Sequence, residues 1–179
     1  MHIYLLAGYI GSGKSFAASC LHTLLQRSRM TAFANKIKDA VAKQYNLPRE
    51  LCDTQEGKAT TIQQYNTTVR NLLIRHSAEL KAIYGVTVFA DAVVEEIQSS
   101  PEIQVWILHD WRYVAEYNAL IKAFPEAEIH TIRITRLSVS PIDDPSEHEL
   151  DYITMDHVIC NDGTETDIKE KLKYILPYG

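Results

Sequence analysis

Residues 2–25 of the chain read HIYLLAGYIGSGKSFAASCLHTLL: six mostly apolar residues, a segment rich in glycine and serine, then an amphipathic run. The opening HIYLLA (2–7) has the continuous apolar character of a fully buried strand. From Ser15 to Ser28, apolar residues recur at Phe16, Cys20, Leu21, Leu24 and Leu25, the spacing of one helical face. A strand and a helix are therefore joined by Gly8-Tyr9-Ile10-Gly11-Ser12-Gly13-Lys14-Ser15, which satisfies the spacing G-x-x-x-x-G-K-[ST]. Glycines in such a turn let backbone N–H groups converge on an anion at the positive end of the helix. The expected occupant is the phosphate chain of a nucleoside triphosphate, with Lys14 at its terminal phosphates and the Ser15 hydroxyl on Mg²⁺.

That junction also restricts the fold, because a buried strand feeding a helix through a tight turn is the first half of a parallel βαβ unit. Further strands are expected at MTAFA (30–34), IQVWILHD (103–110), EIHTIRITR (128–136) and HVICN (157–161). Helices are expected at KIKDAVAKQY (36–45), along TTVRNLLIRHSAELKAIYG with Thr67 or Thr68 as its cap and Gly85 as its stop, over 87–99, at VAEYNALIKAF (114–124) and at TETDIKEKLKYIL (164–176). Five strands alternating with helices imply an α/β protein with a five-stranded parallel sheet flanked by helices in three layers, the P-loop NTPase arrangement. No linker or repeat divides the 179 residues, so residues 1–179 are read as a single domain, with a helical insertion at about 40–100.

Charge and cysteine usage narrow the partners. A formal net charge of −5 disfavours a nucleic-acid binder, so clustered cations are expected to serve a small anion. Cys20, Cys52 and Cys160 are odd in number and far apart, which suggests neither a disulfide framework nor a zinc site and fits a reducing cytoplasm. No apolar run approaches the length of a membrane span.

VWILHDWR drives four apolar residues into His109 and Asp110, placing Asp110 at the carboxyl edge of the sheet where open α/β folds bind ligands. Asp110 is the candidate for holding Mg²⁺, with a helix cap as the competing reading; His109 reads as a packed strand-end residue. Arg112, two positions on, is the candidate for gripping a second phosphate, on the side away from the loop's anion hole. PIDDPSEHELD (141–151) has five carboxylates in eleven residues and reads most simply as a mobile, solvated connection. Its place after Arg133 and Arg136 also allows a lid, over about 136–152, that carries Arg136 to bound nucleotide. Asn161-Asp162-Gly163 reads as a tight turn, with Thr164 or Thr166 capping the last helix.

The segments GYIGSGKS, FANKIKDAV, TVRNLL, VTVFADAVVEEI, HDWRYVAEYNAL, IRITR, SEHELD and HVICNDGT together resemble the P-loop deoxynucleoside monophosphate kinases of bacteriophages. The resemblance covers nearly the whole chain and implies transfer of the γ-phosphoryl group of ATP to a deoxynucleoside monophosphate with Mg²⁺, in the cytoplasm or, for a viral protein, that of the host. It implies a donor site of Gly11, Ser12, Gly13, Lys14, Ser15 and Phe16, with Arg136 from the lid and Asn161, Asp162 and Gly163 beside the base. It implies Lys38, Arg70, Glu79 and Arg112 on the acceptor side, and leaves assembly as a homodimer open. A glycine-threonine pair, an arginine and a tryptophan of the family pattern are replaced by His76-Ser77-Ala78, by Ala82 beside Lys81, and by Phe89. Kinases for other phosphorylated acceptors, of the phosphomevalonate or dephospho-coenzyme A kind, and a non-catalytic nucleotide switch are the alternatives.

Overall fold

The computed structural model describes residues 1–176, and the last three residues of the expected domain lie outside the described residues. In chain order the elements are β1 (His2–Ala7), α1 (Lys14–Leu24), β2 (Ser28–Thr31), α2 (Asn35–Gln44), α3 (Gln55–Ala59), β3 (Thr61–Ile62), β4 (Thr67–Thr68), α4 (Val69–Tyr84) and α5 (Val88–Gln98). They continue with β5 (Val105–Leu108), α6 (Val114–Ala123), β6 (Glu128–Thr135), α7 (Pro145–His148), β7 (His157–Cys160) and α8 (Glu165–Lys173). The chain divides into two compact units, one made of Met1–Phe33 with the chain from Val93 onward, the other of Ala34–Ala92.

The first unit is built on a five-stranded sheet in the order β2-β5-β1-β6-β7, with every neighbouring pair parallel. β1 lies at its centre, and the alternation of its side chains serves two layers. Tyr4 and Leu6 join Ile107, Ile132, Ile134 and Ile159 on the face packed by Ala17, Ala18, Cys20 and Leu21 of α1 and Ile168 and Leu172 of α8. Ile3, Leu5, Trp106 and Leu108 on the opposite face are fully buried as well, as expected of a parallel sheet flanked by helices on both sides. The strand succession β1, β2 on one side and β6, β7 on the other makes the carboxyl end of β1 a topological switch point.

The second unit is largely helical. Thr68 caps α4 by accepting the Asn71 N–H at 3.2 Å, and Gly85 ends it with a φ of 94°. Arg49 gathers Asp39 at 2.5 Å and Asp53 at 2.7 Å, and Lys38 donates to the same Asp53 at 3.0 Å. α3 and the β3–β4 hairpin are additions that no apolar periodicity announced.

Several boundaries shift by one or more residues from expectation, and two of the shifts have a visible cause. β2 spans Ser28–Thr31 rather than 30–34, because pairing with β5 runs from Ser28 opposite Val105 to Thr31 opposite Leu108. Ser28 and Arg29 look too polar for a strand, but an edge strand exposes one side, and the Arg29 guanidinium lies over the Trp106 ring at 5.4 Å. α1 stops at Leu24 instead of running to 28, since Leu25 is extended and Arg27 has a φ of 57°. Phe16, assigned to the apolar stripe, is 41% exposed; Ala17, Ala18, Cys20 and Leu21 make the buried face.

Leu6 is enclosed on the α1 and α8 face, so Leu6→Ala is expected to cost about 2–5 kcal/mol through lost burial and a residual cavity. Urea unfolding measures it, and a loss below about 1 kcal/mol would contradict the packing described.

Candidate active site

The loop between β1 and α1 is shaped by what presses on it. Gly8 has a φ of 143°, and a Cβ there would overlap the Ile134 carbonyl of β6 and the Ser12 hydroxyl. Gly13 has a φ of 95°, and a Cβ there would overlap the Asn161 side-chain amide. Neither position admits a side chain, and both glycines have a positive φ, so they let the loop turn tightly into the start of α1. The Ser12 hydroxyl is buried inside this turn and has no hydrogen-bond partner among the described residues. A buried orphan hydroxyl just before the N-terminus of an eleven-residue helix fits an anionic ligand.

Lys14 folds back over the loop, donating to the carbonyls of Gly8 at 2.5 Å and Tyr9 at 3.0 Å. Its pKa is pushed down from the ordinary 10.5 to about 8, first by burial and then by the Arg112 cation, while Glu147 and Asp110 pull it up. Two cations and two carboxylates therefore meet around one loop, and a polyanion would relieve the repulsion between the cations.

Asp110 lies just past the end of β5, as its position in the sequence predicts. Its Oδ1 accepts the Phe33 N–H at 2.8 Å, which anchors the carboxylate against the chain after β2. It does not cap α6, whose cap position is Tyr113. Ser15 Oγ lies 3.3 Å from His109 Nδ1, so His109 touches the loop's serine. The Ser15 hydroxyl and the Asp110 carboxylate are the hard oxygen donors that Mg²⁺ takes.

Arg112 is held from both ends. Its backbone N–H donates to Glu116 at 3.0 Å, as does that of Tyr113, and its guanidinium donates to Glu147 Oε1 at 2.8 Å and to Ser146 Oγ at 3.0 Å. The other oxygen of Glu147 accepts the Ile10 N–H of the phosphate loop at 2.7 Å. Arg112 thus stands one carboxylate away from the loop, not on a side turned away from it. The Glu147 side chain is only 2% exposed, a buried charge satisfied at both oxygens.

The acidic stretch around Glu147 is largely exposed, yet it is tied down by specific bonds and is more than a solvated connection. Asp144 accepts the Ser146 N–H at 2.8 Å and Pro145 occupies the first turn of α7. Glu149 accepts the Val114 N–H at 2.9 Å, and Asp151 takes the Tyr9 hydroxyl at 2.9 Å and Arg133 at 3.3 Å. Arg133 also donates to the Leu150 carbonyl. Three of the five carboxylates pin this stretch to the loop, to β6 and to the segment carrying Arg112, and a fourth, Asp144, caps α7. The sequence reading missed Glu147 and Glu116; the Asp-Pro-Ser-Glu order was the available signal for the first, being an N-cap followed by proline.

Asn161 is buried and donates its amide to the Ser12 carbonyl at 3.0 Å, so it buttresses the phosphate loop. Asp162 accepts the Leu137 N–H at 2.9 Å, Thr164 caps α8, and Gly163 packs against Asp167 too closely for a Cβ. The Arg136 guanidinium makes no hydrogen bond or ion pair with the described residues; its charge is felt at Asp162. In the second unit, Lys38 is paired with Asp53, Arg70 donates to Gln55 at 2.7 Å, Glu79 lies 3.9 Å from Arg75, and Lys81 sits over the Phe89 ring at 5.8 Å.

No family model matches the chain, and no curated protein matches it in sequence. Solved structures do match. A protein from Thermus thermophilus aligns at 16% identity over 97% of this chain and 95% of its own, with a TM-score of 0.53. A sugar kinase from Janibacter aligns at 11% identity over 96% and 91%, with a TM-score of 0.50. A candidate kinase from Chloroflexus aurantiacus aligns at 11% identity over 98% of each, with a TM-score of 0.51. The fold is the five-stranded parallel sheet flanked by helices that the sequence predicts, in the P-loop NTPase arrangement. At these identities the likeness is one of fold.

Lys14 supplies a pH test of the site. A lysine whose folded pKa lies below its unfolded value costs stability while charged, and that cost fades as pH rises from about 8 toward 10.5, where the unfolded chain binds more protons. Relative to Lys14→Met, the wild-type chain is therefore expected to gain stability between pH 8 and pH 10 in nucleotide-free buffer. Urea unfolding of both proteins across that range measures the difference, and a pH-independent margin would contradict the burial of this charge.

Proposed function

We propose that the chain is a kinase that transfers the γ-phosphoryl group of ATP to the phosphate of a deoxynucleoside monophosphate. The observation that carries the reading is the pairing of an anion cradle holding an orphan hydroxyl with an arginine clamped beside it by Glu147. A nucleotide switch needs the cradle alone, whereas a kinase for a phosphorylated acceptor needs a second cation held at a fixed distance from it.

In this reading the loop amides from Gly11 to Ser15 and the Ser12 hydroxyl bind the donor's phosphates. Lys14 exchanges its bonds to Gly8 and Tyr9 for the terminal phosphates. Ser15 and Asp110 are the residues that would hold Mg²⁺ brought with the nucleotide, and the ion would supply charge neutralisation at the donor's phosphates. Arg112 grips the acceptor phosphate so that one of its oxygens attacks the γ-phosphorus in line. The new bond forms between that oxygen and phosphorus, the bond to the β–γ bridging oxygen breaks, and ADP leaves with the electron pair. The uncommitted Arg136 supplies charge to the transferring group, and Phe16 and the Asn161–Gly163 turn border the donor. Lys38, Arg70 and Glu79 keep the acceptor-side roles that the family resemblance implies. Glu147 acts through Arg112 and is a positioning residue.

Arg112→Ala is expected to lower kcat/KM for the acceptor at least about tenfold while ATP affinity changes little, because a charge-assisted bond to phosphate is lost. Lysine at this position recovers part of the loss, since a point charge cannot reproduce the guanidinium fork. Steady-state kinetics varying each substrate, with direct ATP binding, separates the outcomes; damage confined to ATP binding would sink the acceptor role. Glu147→Gln presents one oxygen where the carboxylate uses two, so it is expected to raise the acceptor KM more than it lowers kcat. An unchanged acceptor KM would remove Glu147 from the account.

A further inference from the structure

At the amino end of the sheet, remote from the phosphate loop, His2, Glu128 and His130 bring one ligand atom each to within 4.8 Å of one another. The strand register dictates this grouping. β1 and β6 run parallel with His2 opposite Glu128 and Tyr4 opposite His130, and residues two apart on a strand share a face. All three side chains therefore stand on the face that carries Tyr4, whichever rotamers they adopt. His130 is further fixed by stacking on the Tyr4 ring, at 4.6 Å between centroids, and its ring plane lies 16° from that of His2, whose centroid is 5.6 Å away.

The distances decide between two explanations of the cluster. His2 Nδ1 lies 3.3 Å from His130 Nε2 and also 3.3 Å from Glu128 Oε2. One ring nitrogen carries either one proton or one lone pair, so it cannot make good hydrogen bonds to both partners at this separation. The separation does match co-ligands of a tetrahedral ion, whose donor atoms stand about 3.3 Å apart when each is about 2.0–2.1 Å from the metal.

We infer that His2, Glu128 and His130 form a binding site for a divalent zinc-class ion that fastens β1 to β6 at their amino ends. Two imidazoles and one carboxylate, without a thiolate, suit Zn²⁺, with water completing the tetrahedron. Glu128 is exposed, with 69% of its side chain open, which gives the ion a way in. Asp156 and His157 lie near enough to act electrostatically on His130, and Asp156 is held by Thr131 at 2.7 Å, placing a carboxylate at the rim.

The test uses the full chain without nucleotide, so it stands independently of the kinase reading. Chelator-treated protein is titrated with Co²⁺, and the visible ligand-field bands of a four-coordinate site are followed. The expected result is one equivalent bound with those bands, displaced by Zn²⁺, and an unfolding midpoint raised by Zn²⁺. Glu128→Gln, a change at an exposed side chain, and His130→Asn are each expected to weaken Zn²⁺ binding at least about tenfold and to remove the zinc-dependent rise in midpoint. Absence of four-coordinate bands, or identical titrations for wild type and Glu128→Gln, would overturn the site. The second outcome would place the bound ion elsewhere on the surface.

Discussion

The phosphate loop has its shape because two other strands leave no room for any other. The Ile134 carbonyl of β6 and the Asn161 amide after β7 sit where Cβ atoms of residues 8 and 13 would be. A side chain at either place would push the loop off the sheet and turn its N–H groups away from the start of α1. The strand order puts β6 against β1 and β7 beyond it, so the fold itself supplies these contacts. The loop is therefore preorganised, and binding an anion needs no costly rearrangement of its backbone.

A second constraint follows from gathering charge around that loop. Burial, and after it the Arg112 cation, lowers the pKa of Lys14, while Glu147 and Asp110 oppose that effect. Glu147 does more than balance charge, since its two oxygens tie the Ile10 N–H to the Arg112 guanidinium. Any displacement of the loop is thereby passed to the arginine. Asp151, through Tyr9 and Arg133, and Glu149, through the Val114 N–H, fasten the same acidic segment at three further points.

Much of the arrangement is legible in the sequence because it depends on short-range signals. The glycine spacing, the apolar run before it and the helical stripe after it specify the loop, and strand-ending Asp110 lies where its local pattern puts it. Thr68, Gly85 and Thr164 are found as caps because capping chemistry spans only three or four residues. Features that depend on partners distant in sequence are less visible. β2 begins at Ser28 because β5 sets its register, and Glu147 is buried because Ile10 and Arg112, at separations of 137 and 35 residues, each need an acceptor. As a charge run the acidic segment looks solvated; its carboxylates are spent on specific donors. His2 and His130 carry no local motif and meet only through the parallel pairing of β1 with β6.

The most direct test of the central claim is identification of the product by phosphorus NMR. The chain is incubated with ATP, Mg²⁺ and, in turn, deoxynucleoside, ribonucleoside and non-nucleotide monophosphates. The account predicts paired diphosphate doublets of a new deoxynucleoside diphosphate, growing in equal measure with ADP. Release of inorganic phosphate without a second diphosphate, or transfer confined to a non-nucleotide acceptor, would contradict it.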